Sequence, residues 1–180
     1  EAWFVPTIAI IILITPYSTS IMNNKAESRI EDSLRNKNIT NQNMANPNNE
    51  YAIDSYPSVF VINKDASHLL DIFEENEIKK IYLNFSDPWP KSRHEKRRLT
   101  SKSFLDIYKK LIGKGGEIEF KSDNRKLFEY SVLMFIQEGF EFLDLSLDLH
   151  QDKDDVITTE YEDKFMSLNQ PIYYVKVRVK

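Results

Sequence analysis

From residue 78 onward, short apolar runs of strand length alternate with longer stretches whose apolar residues recur every three or four positions, and this alternation leaves few folds open. IKKIYLNF, residues 78–85, reads as a buried strand closed by Ser86, Asp87 and Pro88. Phe104, Leu105, Tyr108, Leu111 and Ile112 fall on one face of a helix, with Thr100 or Ser101 as its N-cap. Gly113, Gly115 and Gly116 stop that helix, and EIEFK, residues 117–121, makes the next strand. A second helix starts near Arg125, with Phe128, Val132, Phe135 and Ile136 turned inward and Gly139 at its end. Leu143, Leu145, Leu147 and Leu149 alternate with Asp144, Ser146, Asp148 and His150, the period of a half-buried strand, and the leucines are expected in the core. Tyr173, Val175, Val177 and Val179 repeat that period against Lys176, Arg178 and Lys180. The order predicts an α/β domain with a mostly parallel sheet, its last two strands pairing antiparallel at one edge.

The amino-terminal half is different in kind. Residues 2–14 are apolar except for Thr7, and the Ile-rich piece between Pro6 and Pro16 reads as a buried strand. Those 13 residues are short for a membrane helix, which needs about 20. No Lys or Arg precedes Lys25, so a secretory signal is not expected. Residues 18–50 are rich in asparagine and hold no glycine, and they are expected to be loop or partly disordered, with one short helix over 26–34. Residues 51–54 look like a short strand ending on the carboxylate of Asp54. A single domain over residues 1–180 is expected, with residues 1–45 incomplete or atypical.

Charge narrows the function. The chain has 24 Lys and Arg against 28 Asp and Glu, a formal −4, yet residues 91–98 hold five of those cations and one acid. The rest is therefore 19 basic against 27 acidic residues, or −8, which points to a local anion site on an acidic body and not to general wrapping of nucleic acid. The absence of cysteine excludes a disulfide framework and a thiol nucleophile, and the scattered His68, His94 and His150 do not suggest a metal cage. Asp152, Asp154 and Asp155 lack the glycine and bidentate glutamate of a calcium loop. No metal is expected.

The most informative piece is NFSDPWPKSRHEKRR, residues 84–98. In an open α/β sheet, ligands bind at the carboxyl ends of strands, where Asp87 sits. Pro88 and Pro90 stiffen the backbone around Trp89 and fix where carboxylate and indole point. Lys91, Arg93, His94, Lys96, Arg97 and Arg98 supply donors for phosphate oxygens. A solvated basic turn is the competing reading for a lone cationic run, but acid, aromatic and base in one turn count against it. For His68 and His150, surface or capping positions are expected, and Asp123 is a candidate helix N-cap.

YLNFSDPWPKSRHEKRRLT resembles the tRNA (guanine-N7)-methyltransferase family, whose signature is an aspartate-proline-tryptophan-proline loop followed by basic residues. The resemblance continues through GGEIEFKSDNRKLFEYS and TTEYEDKFMSLNQPIYY, covering residues 78–180. It implies a Rossmann-like class I methyltransferase sheet, S-adenosyl-L-methionine as cofactor, and methyl transfer to N7 of a variable-loop guanine (position 46) of tRNA. By the same resemblance Asp87 is the catalytic residue and borders the cofactor, while Lys91, Asp123, Thr159, Glu160, Tyr161 and Glu162 bind substrate. Upstream, Asp54 would hold the cofactor ribose and Asp65 would lie beside the adenine. A cytoplasmic monomer or homodimer without membrane attachment is implied. The chain departs from the family in lacking a glycine-rich turn, since its four glycines are Gly113, Gly115, Gly116 and Gly139. Asp54 and Asp65 are also closer together than a crossover helix and return strand require. Two other readings stay open: a tRNA-binding protein that has lost the cofactor pocket, and an enzyme of the same fold that methylates an amino group.

Overall fold

The computed structural model describes residues 8–13, 59–154, 156, 158 and 160–180, with side chains from residue 65 onward except those of Glu160 and Tyr161. Asp54, Thr159, the expected helix over 26–34, the expected strand over 51–54 and the loop over 18–50 lie outside the described residues. Strands β1 (Ile8–Leu13) and β2 (Val59–Lys64) form an antiparallel ladder with Ile8 opposite Lys64 and Leu13 opposite Val59. A strand at the Ile-rich run was expected, and its Cβ-branched residues suit the extended backbone.

Strands β3 (Lys80–Asn84), β4 (Glu117–Ser122), β5 (Glu141–Ser146) and β6 (Tyr173–Arg178) form a second sheet in the order β3-β4-β6-β5. β3 and β4 run parallel, joined over one face by helix α1 (Lys102–Ile112), and helix α2 (Arg125–Gln137) leads from β4 to β5. β5 and β6 pair antiparallel, as the sequence suggested. Parallel pairing in this sheet is confined to β3 and β4 among the described residues, because β6 inserts antiparallel between β4 and β5. Short helices α3 (Leu149–Asp152) and α4 (Glu160–Ser167) and two 3-10 turns, Ala66–Asp71 and Ser92–Arg97, complete the described elements. The mixed sheet with its crossover helix fits the Rossmann-like arrangement that the resemblance implies.

Period-2 alternation divides the sheet into unlike faces. Ile81, Leu83, Ile118, Phe120, Val175 and Val177 are buried against Phe104, Leu105, Tyr108 and Leu111 of α1 and Leu127, Phe128 and Phe135 of α2. Each such side chain stabilises the fold by about 1.5–3 kcal/mol. The opposite face carries cross-strand ion pairs, Lys176 to Glu117 and Arg178 to Glu117 at 2.9 Å each, and Lys80 to Glu119. β3 is therefore half-buried, with Tyr82 and Asn84 exposed, and not enclosed on both sides as its apolar run suggested.

Three local expectations are corrected. Ile136 is 58% exposed, because the buried stripe of α2 runs through Leu127, Phe128, Ser131 and Phe135 and Ile136 falls outside it. Of the alternating leucines only Leu149 is buried in the core; Leu145 and Leu147 are exposed, since β5 is an edge strand whose bulge between Phe142 and Asp144 shifts the register. The cap of α2 is Asn124, whose Oδ1 accepts from the Leu127 N–H at 3.0 Å, and not Asp123.

Candidate active site

The carboxyl ends of β3 and β4 stay joined beyond the ladder: the Phe85 N–H donates to the Lys121 carbonyl at 2.9 Å. The chain then turns through two left-handed residues, Phe85 at φ 52° and Trp89 at φ 39°, a conformation that costs bulky L residues about 1–3 kcal/mol each. Between them Asp87 stands exposed on the surface. Its neighbour Ser86 has a buried Oγ without a hydrogen-bond partner among the described residues.

After Pro90 the basic run folds into the 3-10 turn Ser92–Arg97. Its side chains divide into two groups. Arg97 lies over the Trp89 ring at 5.0 Å, and His94 meets the same ring edge-on at 5.6 Å. Partial desolvation, and then the charges of Arg97, Arg93 and Lys91, hold the His94 imidazole below its ordinary pKa, and its Nε2 accepts from Arg93 Nε at 3.2 Å. His94 thus adds little positive charge at neutral pH. Lys91, Arg93 and Lys96 are exposed and present cations to solvent beside Asp87. Arg98 points inward instead, donating from Nε to the Pro88 carbonyl and from Nη2 to the Trp89 carbonyl, each at 3.1 Å. Two of its donors are thus engaged by backbone carbonyls of the loop, unlike the outward cations of the basic run.

The second wall is built from β4 and α4. Lys121 Nζ donates to Glu162 Oε1 at 2.8 Å, and Glu162 is fully buried. His150 Nε2 lies 3.6 Å from the same oxygen, beyond hydrogen-bond distance, and its side chain is only 12% exposed. The same elements carry a small apolar cluster of Leu149, Ile172 and Tyr174, with Phe85, Val156 and Phe165 packed against it. A buried carboxylate requires such pairing, because desolvation of a lone charge costs several kcal/mol. His150 is therefore an interior residue and not the surface or capping histidine expected. Asp123, half-buried, follows two residues after Lys121.

Asp87, Asp123 and Glu162 thus belong to one end of the sheet, linked through Phe85 to Lys121 and through Lys121 to Glu162. Lys91 lies on the Asp87 loop. Asp65 follows β2 and caps the turn Ala66–Asp71, accepting from the Ser67 N–H at 2.8 Å and from Ser67 Oγ at 2.7 Å. Glu160 and Tyr161 open α4, with their side chains outside the described residues, as are Asp54 and Thr159. Sequence reasoning missed Lys121, although the alternation Glu117, Glu119, Lys121 placed it on the charged face at the strand end. Nothing local announced His150. Among the described residues no cluster of three or more His, Asp or Glu side chains could hold a metal ion, and no helix is long and apolar enough to cross a membrane.

Residues 22–175 match the family described as putative methyltransferase. A Bacillus velezensis protein named tRNA (guanine-N(7)-)-methyltransferase is 56% identical over 121 residues, 67% of this chain and 56% of its own length. A Bacillus subtilis protein of the same name is 54% identical over 121 residues, 67% of this chain and 57% of its own, and one from a Geobacillus species is 45% identical over 162 residues, 80% of this chain and 74% of its own. The chain belongs to the tRNA (guanine-N7)-methyltransferase family. It spans about half the length of the first two of these relatives.

Membership in this family implies a methyl donor, and the residues at the strand ends can be tested against it. An orphaned buried hydroxyl costs about 1–3 kcal/mol, so Ser86 Oγ beside Asp87 calls for a polar partner that it does not find among the described residues. Tyr108, packed under the same sheet, also has a buried hydroxyl without a partner among the described residues; burial first, and then the Asp65 carboxylate, push its pKa far up, so it stays a neutral donor. Two unmet polar atoms near Asp87 and Asp65 fit a bound polar cofactor. They differ from a glycine-rich cradle, which works through close backbone approach.

Proposed function

We propose that this chain carries the methyl-transfer site of a tRNA (guanine-N7)-methyltransferase, moving a methyl group from S-adenosyl-L-methionine to N7 of a variable-loop guanine. The observation that carries the reading is the exposed Asp87, held at a strand end between a buried orphan hydroxyl and a turn of outward cations. When bound, the cofactor supplies an electrophilic methyl on a sulfonium. Guanine N7 has a lone pair and no proton at neutral pH, so no general base is required. Alignment of nucleophile and methyl is then the main task, with proximity contributing about 7 kcal/mol or more.

Asp87 accepts hydrogen bonds from the Watson–Crick edge of the guanine and offsets positive charge developing on the purine. Lys91 and its neighbours hold the phosphate backbone, and Trp89 offers an aromatic face to the turn. Asp123 and the residues Thr159, Glu160, Tyr161 and Glu162 close the substrate side. Glu162, being buried, acts from behind that surface, with Lys121 holding its carboxylate. Asp65, with Asp54 upstream, lies on the cofactor's adenosine side. The same reading takes the chain as a single domain, a monomer or homodimer acting in the cytoplasm.

The test is mass spectrometry of nucleosides from tRNA incubated with the protein and methyl-labelled cofactor. Labelled 7-methylguanosine is expected. Label on an exocyclic amino group would replace the reading with amino methylation. The glycine-free amino-terminal half favours one further reading, a tRNA-binding protein without the cofactor pocket. Calorimetry that detects no heat at millimolar cofactor while tRNA still binds would select it.

A further inference from the structure

Asp87 must be held still to align a purine, yet its loop has little to hold it. Pro88 and Pro90 have no N–H to give a ladder. Trp89, between them, occupies a left-handed conformation at φ 39° that a tryptophan does not adopt unaided. Something outside the loop must fix it.

The two carbonyls flanking that strained residue, Pro88 and Trp89, are both captured by the guanidinium of Arg98, at 3.1 Å each. Behind it, the guanidinium carbon stands 4.3 Å from the centroid of the Tyr130 ring. Tyr130 belongs to α2; desolvation and the nearby Glu95 carboxylate push its pKa up to about 12. The base of this arrangement is rigid. Arg98 N–H donates to the Glu95 carbonyl at 3.0 Å, and the Ser101 N–H donates to the Arg98 carbonyl at 2.9 Å where α1 begins. Leu99 and Thr100 are buried, and Thr100 Oγ1 meets Ser131 Oγ of α2 at 2.7 Å.

We propose that Arg98 is a positioning residue, a fork clamped between the Tyr130 ring and the carbonyls of Pro88 and Trp89 that holds the Asp87 loop in its strained form. Its charge is turned into the protein, so it is not one of the phosphate contacts. A lysine at this position keeps the charge but lacks the planar fork that grips two carbonyls at once. The inference rests on the function proposed above for Asp87, and its test therefore carries a readout that does not need activity.

Trp3→Phe leaves Trp89 as the single tryptophan and hence the single indole reporter of the loop. In that background Arg98→Lys is expected to raise acrylamide quenching of Trp89 about twofold and to lower kcat about tenfold, while KM for tRNA and its salt dependence stay put. Tyr130→Leu, which removes the platform and keeps every cation, is expected to move both quantities in the same direction by less. The opposite pattern, unchanged quenching and kcat with weaker, less salt-sensitive tRNA binding, would make Arg98 a phosphate contact and overturn the proposal. Should the parent protein transfer no methyl group, the proposed activity fails on its own. Quenching in Arg98→Lys and Tyr130→Leu then still decides whether the clamp exists: a rise in both sustains it and no change in either refutes it.

Discussion

Asp87 and Glu162 are two carboxylates at the same end of one sheet, held in opposite ways. Asp87 is exposed on a loop whose strain is contained by backbone carbonyls gripped from outside. Glu162 is fully buried and paired with Lys121, with His150 alongside. The difference separates two kinds of work. On the function proposed for it Asp87 meets a purine and must remain reachable, so its precision comes from the backbone beneath it. A group that fixes a helix against a sheet can be desolvated completely, and its precision comes from its own ion pair.

The sharpest way to break the comparison is to remove each carboxylate's function separately. Asp87→Ala is expected to lower methyl transfer about a thousandfold with an unchanged melting temperature. A normal rate from the purified variant would remove Asp87 from the chemistry. Lys121→Met should act on stability, costing about 3 kcal/mol in urea unfolding because it removes the ammonium that pairs with the buried Glu162 carboxylate. If stability is unchanged, the pair is not the anchor described here. Lys91→Ala belongs with the exposed side: tRNA affinity should fall and the slope of log affinity against log salt should drop by about one, with cofactor binding untouched.

The smallest effect concerns pH, at the charged face of the sheet and at the ion pairs between α1 and the end of α2. Burial pushes Glu117 up, but hydrogen bonds from Lys176 and Arg178 outweigh it and hold its carboxyl below the usual carboxylate range. Hydrogen bonds from Lys109 and Lys102 do the same for Glu138. A depressed folded-state pKa contributes stability that is present above the unfolded pKa and lost as pH falls through the folded one. Each is expected to contribute about 0.5 kcal/mol at neutral pH, lost on acidification below the usual carboxylate range and removed at all pH by Glu117→Gln or Glu138→Gln. Acid titration of the unfolding free energy measures it. A loss of the same size in both variants at low pH would mean that other groups are responsible.

Much of this was legible because it is local. The faces of α1 and β6, the strand at residues 80–84 and the exposed acid at its end follow from spacing and from two prolines. What failed was decided between elements. Leu145 reads as core by alternation, but a bulge on an edge strand turned it out. His150 looks like any polar neighbour of Leu149, and only the packing of α3 beside Glu162 buries it. Asp123 is as good a cap by type as Asn124, and the backbone geometry of one turn chose between them.

The order of residues alone determined the α/β alternation, the placing of an acid between a strand end and two prolines, and the concentration of cations behind it, since each depends on neighbours in sequence. Only the tertiary structure decided which of those cations face solvent and which is spent inside. Arg97 and Arg98 are adjacent and chemically identical, yet one lies over Trp89 and the other is clamped beneath the loop against Tyr130. A guanidinium's partners are set by what the fold brings within about 3 Å of it, and no pattern along the chain encodes that distance.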